Sequence, residues 1–160
     1  MKRIWMGLIV LSLFSAGPAA AADRKPAPDF EVTDLSGSPL KLSAFQGSVI
    51  LLDFWATWCP PCRAEIPHFK QLYAGYKGKG LQVIGLSVGE KPDVVRSFAK
   101  ANGITYPVGM SSDSIEQAYG GIRGIPTTFL IDKQGRIAGQ FTGYQEKQVF
   151  EQEIRALLAE

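Results

Sequence analysis

Two cysteines, Cys59 and Cys62, follow directly on a continuously apolar segment, and the 160 residues contain no other cysteine. Segment 48–56 (SVILLDFWA) is too uniformly apolar for a strand with one exposed face, which predicts a strand covered on both faces in a parallel or mixed sheet. A helix is predicted from Pro60 to about Lys77. Because the chain has only two cysteines, neither a scaffold of several disulfides nor a four-cysteine zinc site can form within one chain.

The charge balance argues against binding of nucleic acid. The chain has 17 Lys and Arg against 15 Asp and Glu, and Lys2 and Arg3 account for the net charge of +2. Residues 23–160 are therefore neutral overall, with no basic excess to form a nucleic-acid-binding face. A content of 46% apolar and 20% charged residues suits one globular domain and excludes a disordered chain.

The first 22 residues have the order of a secretory signal: a basic start, an apolar run and a tail rich in small residues. We expect cleavage before Asp23, with residues 23–29 as an extended arm and 30–160 as the folded domain. The alternative is an uncleaved membrane anchor, since 4–22 is an uncharged run of 19 residues. Both interpretations place the folded part outside the cytoplasm, in the periplasm or an equivalent compartment.

The rest of the pattern predicts an α/β chain in which strands and helices alternate. The predicted elements are a hairpin from 30–33 and 40–42, a helical turn at 43–45, a buried strand 81–88, a helix 92–101, a short strand 106–110, a short helix 114–119, a second hairpin from 127–132 and 136–142, and a last helix 146–158. The last helix is expected to bury Val149 together with Phe150.

The position of the cysteine pair indicates redox chemistry. Only a thiolate attacks a disulfide, and a helix N-terminus stabilises a thiolate through its dipole and its unpaired N–H groups. Cys59 is expected at the N-cap as the exposed nucleophile, and Cys62, one turn inside, as the shielded thiol that resolves the mixed disulfide. Pro60 and Pro61 are compatible with this position because N–H groups of the first turn have no partner within the helix.

With these residues, nearly the whole chain after residue 22 resembles the thioredoxin superfamily. Segment 53–62 (DFWATWCPPC) looks like thioredoxin itself, while 88–90 (VGE), 124–131 (GIPTTFLI), the early hairpin and the signal segment resemble the exported TlpA/ResA-type thiol-disulfide oxidoreductases, relatives of the CcmG/DsbE reductases. The resemblance implies a thioredoxin-like α/β fold with a mixed central sheet flanked by helices, an N-terminal β-hairpin and an inserted helix and strand.

The resemblance also implies a surface for client proteins. It makes Ile125–Pro126 a cis peptide that faces the cysteines, where Pro126 prevents metal capture by the thiols and the backbone of Ile125 pairs with an extended client segment. Trp58, Pro60 and Pro61 are expected to complete this surface.

Two carboxylates are candidates for the proton acceptor of Cys62. Asp53 lies inside the predicted buried strand, where an ionised group is costly unless it is paired or neutralised, so a raised pKa is expected. Glu90 alone looks like the solvated start of a helix, but the resemblance places a functional Glu at this point. Carrying both acids departs from ResA-type proteins, which commonly have a neutral residue at position 53, so the choice between Asp53 and Glu90 stays open.

The leading hypothesis is an exported protein disulfide reductase that acts on client disulfides, including those of cytochrome c maturation. The two prolines add no charge and remove N–H donors near Cys59, which predicts a weakly stabilised thiolate and a reducing poise. We expect a monomer with no metal and no cofactor beyond the Cys59–Cys62 disulfide, re-reduced by a membrane thiol donor of the DsbD/CcdA type. The alternatives are a thiol peroxidase and a module that binds Cu(I) or Zn through both cysteines and His68.

Overall fold

A computed structural model describes residues 23–160, and the predicted signal segment 1–22 lies outside the described residues. Within 23–160 the chain forms a mixed five-stranded sheet, four α-helices and a separate two-stranded hairpin. The elements in chain order are β1 (Glu31–Thr33), β2 (Pro39–Lys41), a 3-10 turn (Leu42–Phe45), β3 (Val49–Trp55), α1 (Pro60–Tyr76), a 3-10 turn (Lys77–Lys79), β4 (Leu81–Ser87), α2 (Pro92–Ala101), β5 (Val108–Met110), α3 (Asp113–Ala118), β6 (Thr127–Ile131), β7 (Ile137–Thr142) and α4 (Lys147–Ala159).

The central sheet has the strand order β5-β4-β3-β6-β7, so the apolar strand β3 lies in the middle. β3 is parallel to β4 and antiparallel to β6, and all seven of its residues are buried, as the continuous apolar run predicts. Alternate side chains face opposite layers. Leu51 and Trp55 pack on the side of α1 and α4, whereas Leu52 and Phe54 pack on the side that holds Tyr119.

The two ends of the central sheet carry different residues. The cysteine end is the end at which β3 finishes with Trp55 and β6 begins with Thr127. The opposite end holds Val49 and Ile131, since β3 and β6 run antiparallel. α1 starts at the cysteine end, directly after the turn that follows β3.

The predicted hairpins, the buried strands and the long helices are confirmed, with bounds that shift by at most one residue. The burial expected of Val149 is wrong, because this side chain is 37% exposed. The buried positions of α4 are Phe150, Ile154 and Leu157, which recur at spacings of four and three, and Val149 lies beside that stripe.

The arm at 23–29 is hydrogen-bonded to β7 and to the turn before it. Ile137 N–H donates to the carbonyl of Lys25 at 2.8 Å, and Ala27 N–H donates to the carbonyl of Gly135 at 2.9 Å. Arg24 adds ion pairs to Asp132 and Glu160. The ordered fold therefore includes residues before 30, whereas the sequence predicted that the folded domain begins at residue 30. No helix within residues 23–160 has both the length and the apolar character needed to cross a bilayer.

Candidate active site

The two cysteines form a disulfide at the first turn of α1, with sulfurs 2.09 Å apart. Cys59 is the N-cap residue, and its Sγ accepts the N–H of Cys62 at 3.3 Å. Pro60 and Pro61 occupy the first two helical positions and contribute no N–H. The predicted N-cap position of Cys59 is thereby confirmed, and its sulfur lies where a thiolate is stabilised by the helix dipole.

The expected difference in exposure between the sulfurs is small in this oxidised form. Cys59 is 3% exposed and Cys62 is 1% exposed, so both residues are buried in the disulfide, and the exposure expected of Cys59 in the reduced dithiol stays a prediction. The exposed groups around them are Trp58, at 64%, and the rings of Pro60 and Pro61. These three exposed apolar side chains flank Cys59 in the chain and form an apolar rim; their contact with clients stays a prediction.

The loop before β6 lies against Cys59. The Ile125–Pro126 peptide is cis, and the carbonyl oxygen of Ile125 lies 3.7 Å from Cys59 Sγ. Pro126 is buried and Ile125 is half-buried, so the loop presents the backbone of Ile125 beside the sulfur. This is the placement that the resemblance predicts for a backbone that pairs with an extended client segment.

Asp53 lies inside β3 and is 3% exposed. Its neighbours at alternate positions, Leu51 and Trp55, belong to the core layer that contains both cysteines, so Asp53 faces the same layer. Burial raises the pKa of Asp53 well above its ordinary value, and the charge of Glu65 adds to this. The hydroxyl of Thr128, 3.2 Å from Asp53 Oδ1, opposes the shift but supplies no positive charge.

Glu65 is the residue that the sequence analysis missed. It lies on α1 one turn after Cys62, and it is fully buried. Burial raises its pKa to about 7, although a hydrogen bond from the N–H of Gln145 to Oε1, at 2.7 Å, works in the opposite direction. Its Oε2 has no hydrogen-bond partner within the described residues. The sequence does contain a signal for its burial, because Glu65 falls on the apolar stripe of α1 that also carries Ile66 and Phe69.

The carboxylate of Glu90 is bound by residues next to the cysteine turn. Its carboxylate accepts the N–H of Thr57 at 2.8 Å and the hydroxyl of Ser87 at 2.9 Å, and it also receives a short hydrogen bond from the Thr57 hydroxyl. Thr57 precedes Trp58 and Cys59 in the turn between β3 and α1. The geometry therefore makes Glu90 a group that fixes this turn, whereas the buried carboxylates in the layer of Cys62 are Asp53 and Glu65.

A short segment, Gly143–Gln145, connects the loop of Pro126 to Glu65. Gly143 has φ of 83°, which glycine adopts without strain, and its N–H donates to the carbonyl of Pro126 at 2.8 Å. Two residues later, the N–H of Gln145 donates to Glu65. One segment therefore fixes both the backbone beside Cys59 and the buried acid below Cys62.

His68, the third metal ligand of one alternative, lies on α1 with its ring 5.9 Å from that of Tyr144. Within residues 23–160, no three His, Cys, Asp or Glu side chains are close enough together to hold a metal ion. His68 and the cysteine pair therefore do not form one ligand set in this structure.

Comparison with known proteins gives a consistent result. The model of the AhpC/TSA family matches residues 24–140. The chain is 36% identical to the thiol-disulfide oxidoreductase ResA of Geobacillus kaustophilus, over 95% of this chain and 87% of that protein. It is 32% identical to the ResA of Bacillus subtilis, over 86% of this chain and 77% of that protein.

Solved structures show the same similarity to thiol-disulfide oxidoreductases. A thiol:disulfide interchange protein of the thioredoxin family from Chlorobium tepidum superposes with a TM-score of 0.80 at 35% identity, covering 86% of this chain and 98% of that chain. A secreted thiol-disulfide isomerase from Corynebacterium glutamicum gives a TM-score of 0.81 at 29% identity, covering 87% and 89%. The thioredoxin-like fold expected from the sequence is confirmed.

Proposed function

The chain belongs to the AhpC/TSA family as a thiol-disulfide oxidoreductase of the ResA type, and we propose that it works outside the cytoplasm in the reducing direction. Proteins of this activity act on disulfide-containing clients. The observation that carries the proposal is the site of Cys59, at the N-cap of α1 and 3.7 Å from the carbonyl oxygen of Ile125. Consumption of dithiol with protein disulfides, and not with hydrogen peroxide, distinguishes this function from the peroxidase alternative.

In the proposed cycle the reduced protein begins with two thiols. The Cys59 thiolate attacks one sulfur of the client disulfide, which forms a Cys59–client disulfide and releases the second client sulfur as a thiolate. Cys62 then loses its proton and attacks Cys59 Sγ. The bond between Cys59 and the client breaks, the client takes up two protons and two electrons in total, and the protein is left with the Cys59–Cys62 disulfide seen in this structure.

We propose that Glu65, together with Asp53, takes the proton from Cys62. Glu65 lies one turn below Cys62 with one carboxylate oxygen unpartnered, and its pKa of about 7 suits a group that accepts a proton near neutral pH. Asp53 faces the same layer with a raised pKa. In this assignment Glu90 is a positioning residue, because its carboxylate is bound to Thr57 and Ser87.

The direction of electron flow rests on the hydrogen bonds to Cys59. Among residues 23–160, the N–H of Cys62 is the one donor to its sulfur, since the two intervening residues are prolines. A thiolate with so few donors is less stabilised, which favours the oxidised protein and so a reducing potential. Titration against glutathione or dithiothreitol buffers should give a potential nearer to about −270 mV than to about −120 mV. A potential near the higher value would overturn the reducing direction.

A matched pair of variants tests the cause. Pro61→Ala restores an N–H at the second position of α1 and should make the potential less negative by tens of millivolts, on the order of 1 kcal/mol. Pro92→Ala changes a proline in the first turn of a different helix, α2, which carries neither cysteine, and should leave the potential unchanged. Equal shifts in both variants, or none in Pro61→Ala, would remove this explanation.

Export is proposed from residues 1–22, and its test is the mass of the mature protein. Cleavage before Asp23 leaves Arg24 in place, with its ion pairs to Asp132 and Glu160 intact. Mass spectrometry of protein isolated from the extracytoplasmic fraction should show a chain that begins at residue 23 or one residue to either side. A full-length chain in the membrane fraction would favour the uncleaved anchor instead.

The clients, with apocytochrome c among them, and a membrane donor of the DsbD/CcdA type are proposed from the resemblance. In Cys62→Ser the mixed disulfide on Cys59 cannot be resolved, so clients are expected to accumulate as covalent adducts in a periplasmic extract. The double variant with Cys59→Ser is the control and should capture none. Identification of the adducts by mass spectrometry names the clients, and a trap without Cys59-dependent adducts would contradict a protein client.

A further inference from the structure

A polar groove lies beside the Ile125–Pro126 peptide, at the cysteine end of the sheet. It encloses about 230 Å³ and is lined by the segment from Gly120 to Gly124 together with Thr127, Gln140 and Thr142. Thr127 and Thr142 are directly paired at the ends of β6 and β7, so the groove opens at the same end of the sheet as Cys59. Neither the proton-transfer groups nor the apolar rim of Trp58 contributes to it.

The groove continues the surface on which a client is expected to lie. Ile125, whose carbonyl oxygen is 3.7 Å from Cys59 Sγ, is separated from Arg123 by one residue. Two residues of extended chain span about 7 Å. A client segment that is bonded to Cys59 and runs along the backbone of Ile125 therefore brings a residue two positions from its cysteine to the neighbourhood of Arg123.

Arg123 differs from the other arginines of residues 23–160 in having no partner among the described residues. Arg24, Arg96, Arg136 and Arg155 each form an ion pair with a carboxylate, and Arg63 lies over the ring of Phe98. Arg123 is exposed and forms no ion pair, side-chain hydrogen bond or cation–π contact within this part of the chain. The other five arginines of residues 23–160 contact groups of the fold, whereas the guanidinium of Arg123 is free to meet an external partner.

The walls of the groove leave Arg123 accessible and uncompensated. A Cβ atom added at Gly120 or Gly124 would meet no atom within 4 Å, so the floor is open to an incoming chain. The hydroxyl of Thr127 donates to the carbonyl of Gly124 at 2.7 Å, which fixes the backbone that carries Arg123. No carboxylate lines the groove, so the charge there is positive.

We propose that this groove binds a client segment with an acidic side chain two residues from the cysteine that Cys59 attacks, and that Arg123 pairs with that carboxylate. The proposal rests on the proposed function and specifies its client class. Arg123 is a specificity-determining residue: it takes no part in sulfur chemistry but selects which disulfide is presented to Cys59. Charge pairing at an exposed site raises the rate of encounter and adds a modest affinity.

The test uses synthetic peptides that each contain one internal disulfide. Two series carry Glu, Gln or Lys either two residues before or two residues after the reactive cysteine, and kcat/KM for reduction is measured with dithiothreitol as electron source. In one of the two series the Glu peptide should be reduced about fivefold faster than the Gln peptide and faster still than the Lys peptide. The preference should decrease at 0.5 M salt, because exposed charges are screened.

Variants assign the preference to Arg123. Arg123→Ala should reduce the Glu and Gln peptides at equal rates, and Arg123→Glu should favour the Lys peptide. Arg155→Ala, which removes an exposed arginine of α4, should keep the wild-type preference. Equal rates for all peptides with the wild type, or an unchanged preference in Arg123→Glu, would overturn this proposal and leave the reductase function standing. Failure to reduce any peptide or any protein disulfide would overturn both.

Discussion

Two buried aspartates on neighbouring strands of the sheet have opposite electrostatic surroundings. Asp53, in β3 near the cysteine end, is 3% exposed and has one hydroxyl as partner. Asp132, directly after β6 at the opposite end, is 1% exposed and binds two guanidinium groups, of Arg24 and Arg136, and two backbone N–H groups. Burial raises the pKa in both, but at Asp132 the N–H of Arg136 and the two arginines outweigh burial and lower it.

The contrast shows that burial alone does not decide what an acid does. A carboxylate with cations beside it stays ionised and joins parts of the chain, as Asp132 joins the arm to the sheet. A carboxylate without a cation holds a proton more firmly and can exchange it, as proposed for Asp53 and Glu65. The stabilising ion pairs of Asp132 thus lie at one end of the sheet, and the uncompensated, destabilising acids lie toward the other. This separation can be broken or refined by mutation.

The largest effect of a substitution is expected on activity, at the cysteine end. Cys59→Ala removes the attacking sulfur and should lower insulin reduction by at least about a thousandfold. The matched change at the opposite end, Arg24→Ala, should leave that activity at 25 °C close to the wild-type value. Comparable activity losses in both variants would mean that the two ends are not functionally separate.

The next effect concerns stability at the opposite end. Asp132→Asn removes the charge that Arg24 and Arg136 surround, and should lower the free energy of unfolding by about 2 to 3 kcal/mol at pH 7. The pKa of Asp132 is lowered by folding, so its contribution is present above the unfolded value near 4 and is lost as the pH falls through the folded pKa. Urea denaturation between pH 3 and 7 measures this, and the variant should lose less of its stability on acidification than the wild type does.

Asp53→Asn should act with the opposite sign. The pKa of Asp53 is raised by folding, so its cost to stability appears as the pH rises above the unfolded value near 4 and grows until the folded pKa is reached. The variant should therefore be more stable than the wild type by about 1 to 2 kcal/mol at pH 7.5, with little difference at pH 4. Equal destabilisation in Asp53→Asn and Asp132→Asn would contradict the contrast between the two aspartates.

The smallest effect tests the Gly143–Gln145 segment. Gln145→Pro deletes the N–H that stabilises the ionised form of Glu65, so the pKa of Glu65 should rise and the pH profile of disulfide reduction should move upward by about half a unit. Gln145→Ala keeps the N–H and should have the wild-type profile. A profile that is identical in both variants would show that this hydrogen bond does not set the pKa.

The main features of the fold could be predicted because they depend on local pattern. The uniform apolar run of β3 determines a central strand, and a cysteine before two prolines determines an N-cap. Features that depend on distant residues could not be predicted in this way. Nothing near Asp132 in the sequence indicates that Arg24, 108 residues away, becomes its partner.

Glu65 is an intermediate case. An acid on an apolar helical stripe is a readable signal, but a glutamate in a helix is ordinarily solvated. Only the packing of α1 against β4 and α4 shows that Glu65 is fully buried. Glu90 is the converse. Sequence position marked it as a candidate for proton transfer, whereas its hydrogen bonds to Thr57 and Ser87 are visible only in three dimensions.

The ion pair between Arg24 and Glu160 brings the second and the last of the described residues together, at the end of the sheet away from Cys59. In a chain cut before Asp23, either terminus can therefore carry a fluorophore, an affinity handle or a linker to a solid support without covering the redox centre. Molecules attached to a surface in this manner would all direct the dithiol toward the bulk solution, which suits single-molecule and sensor formats.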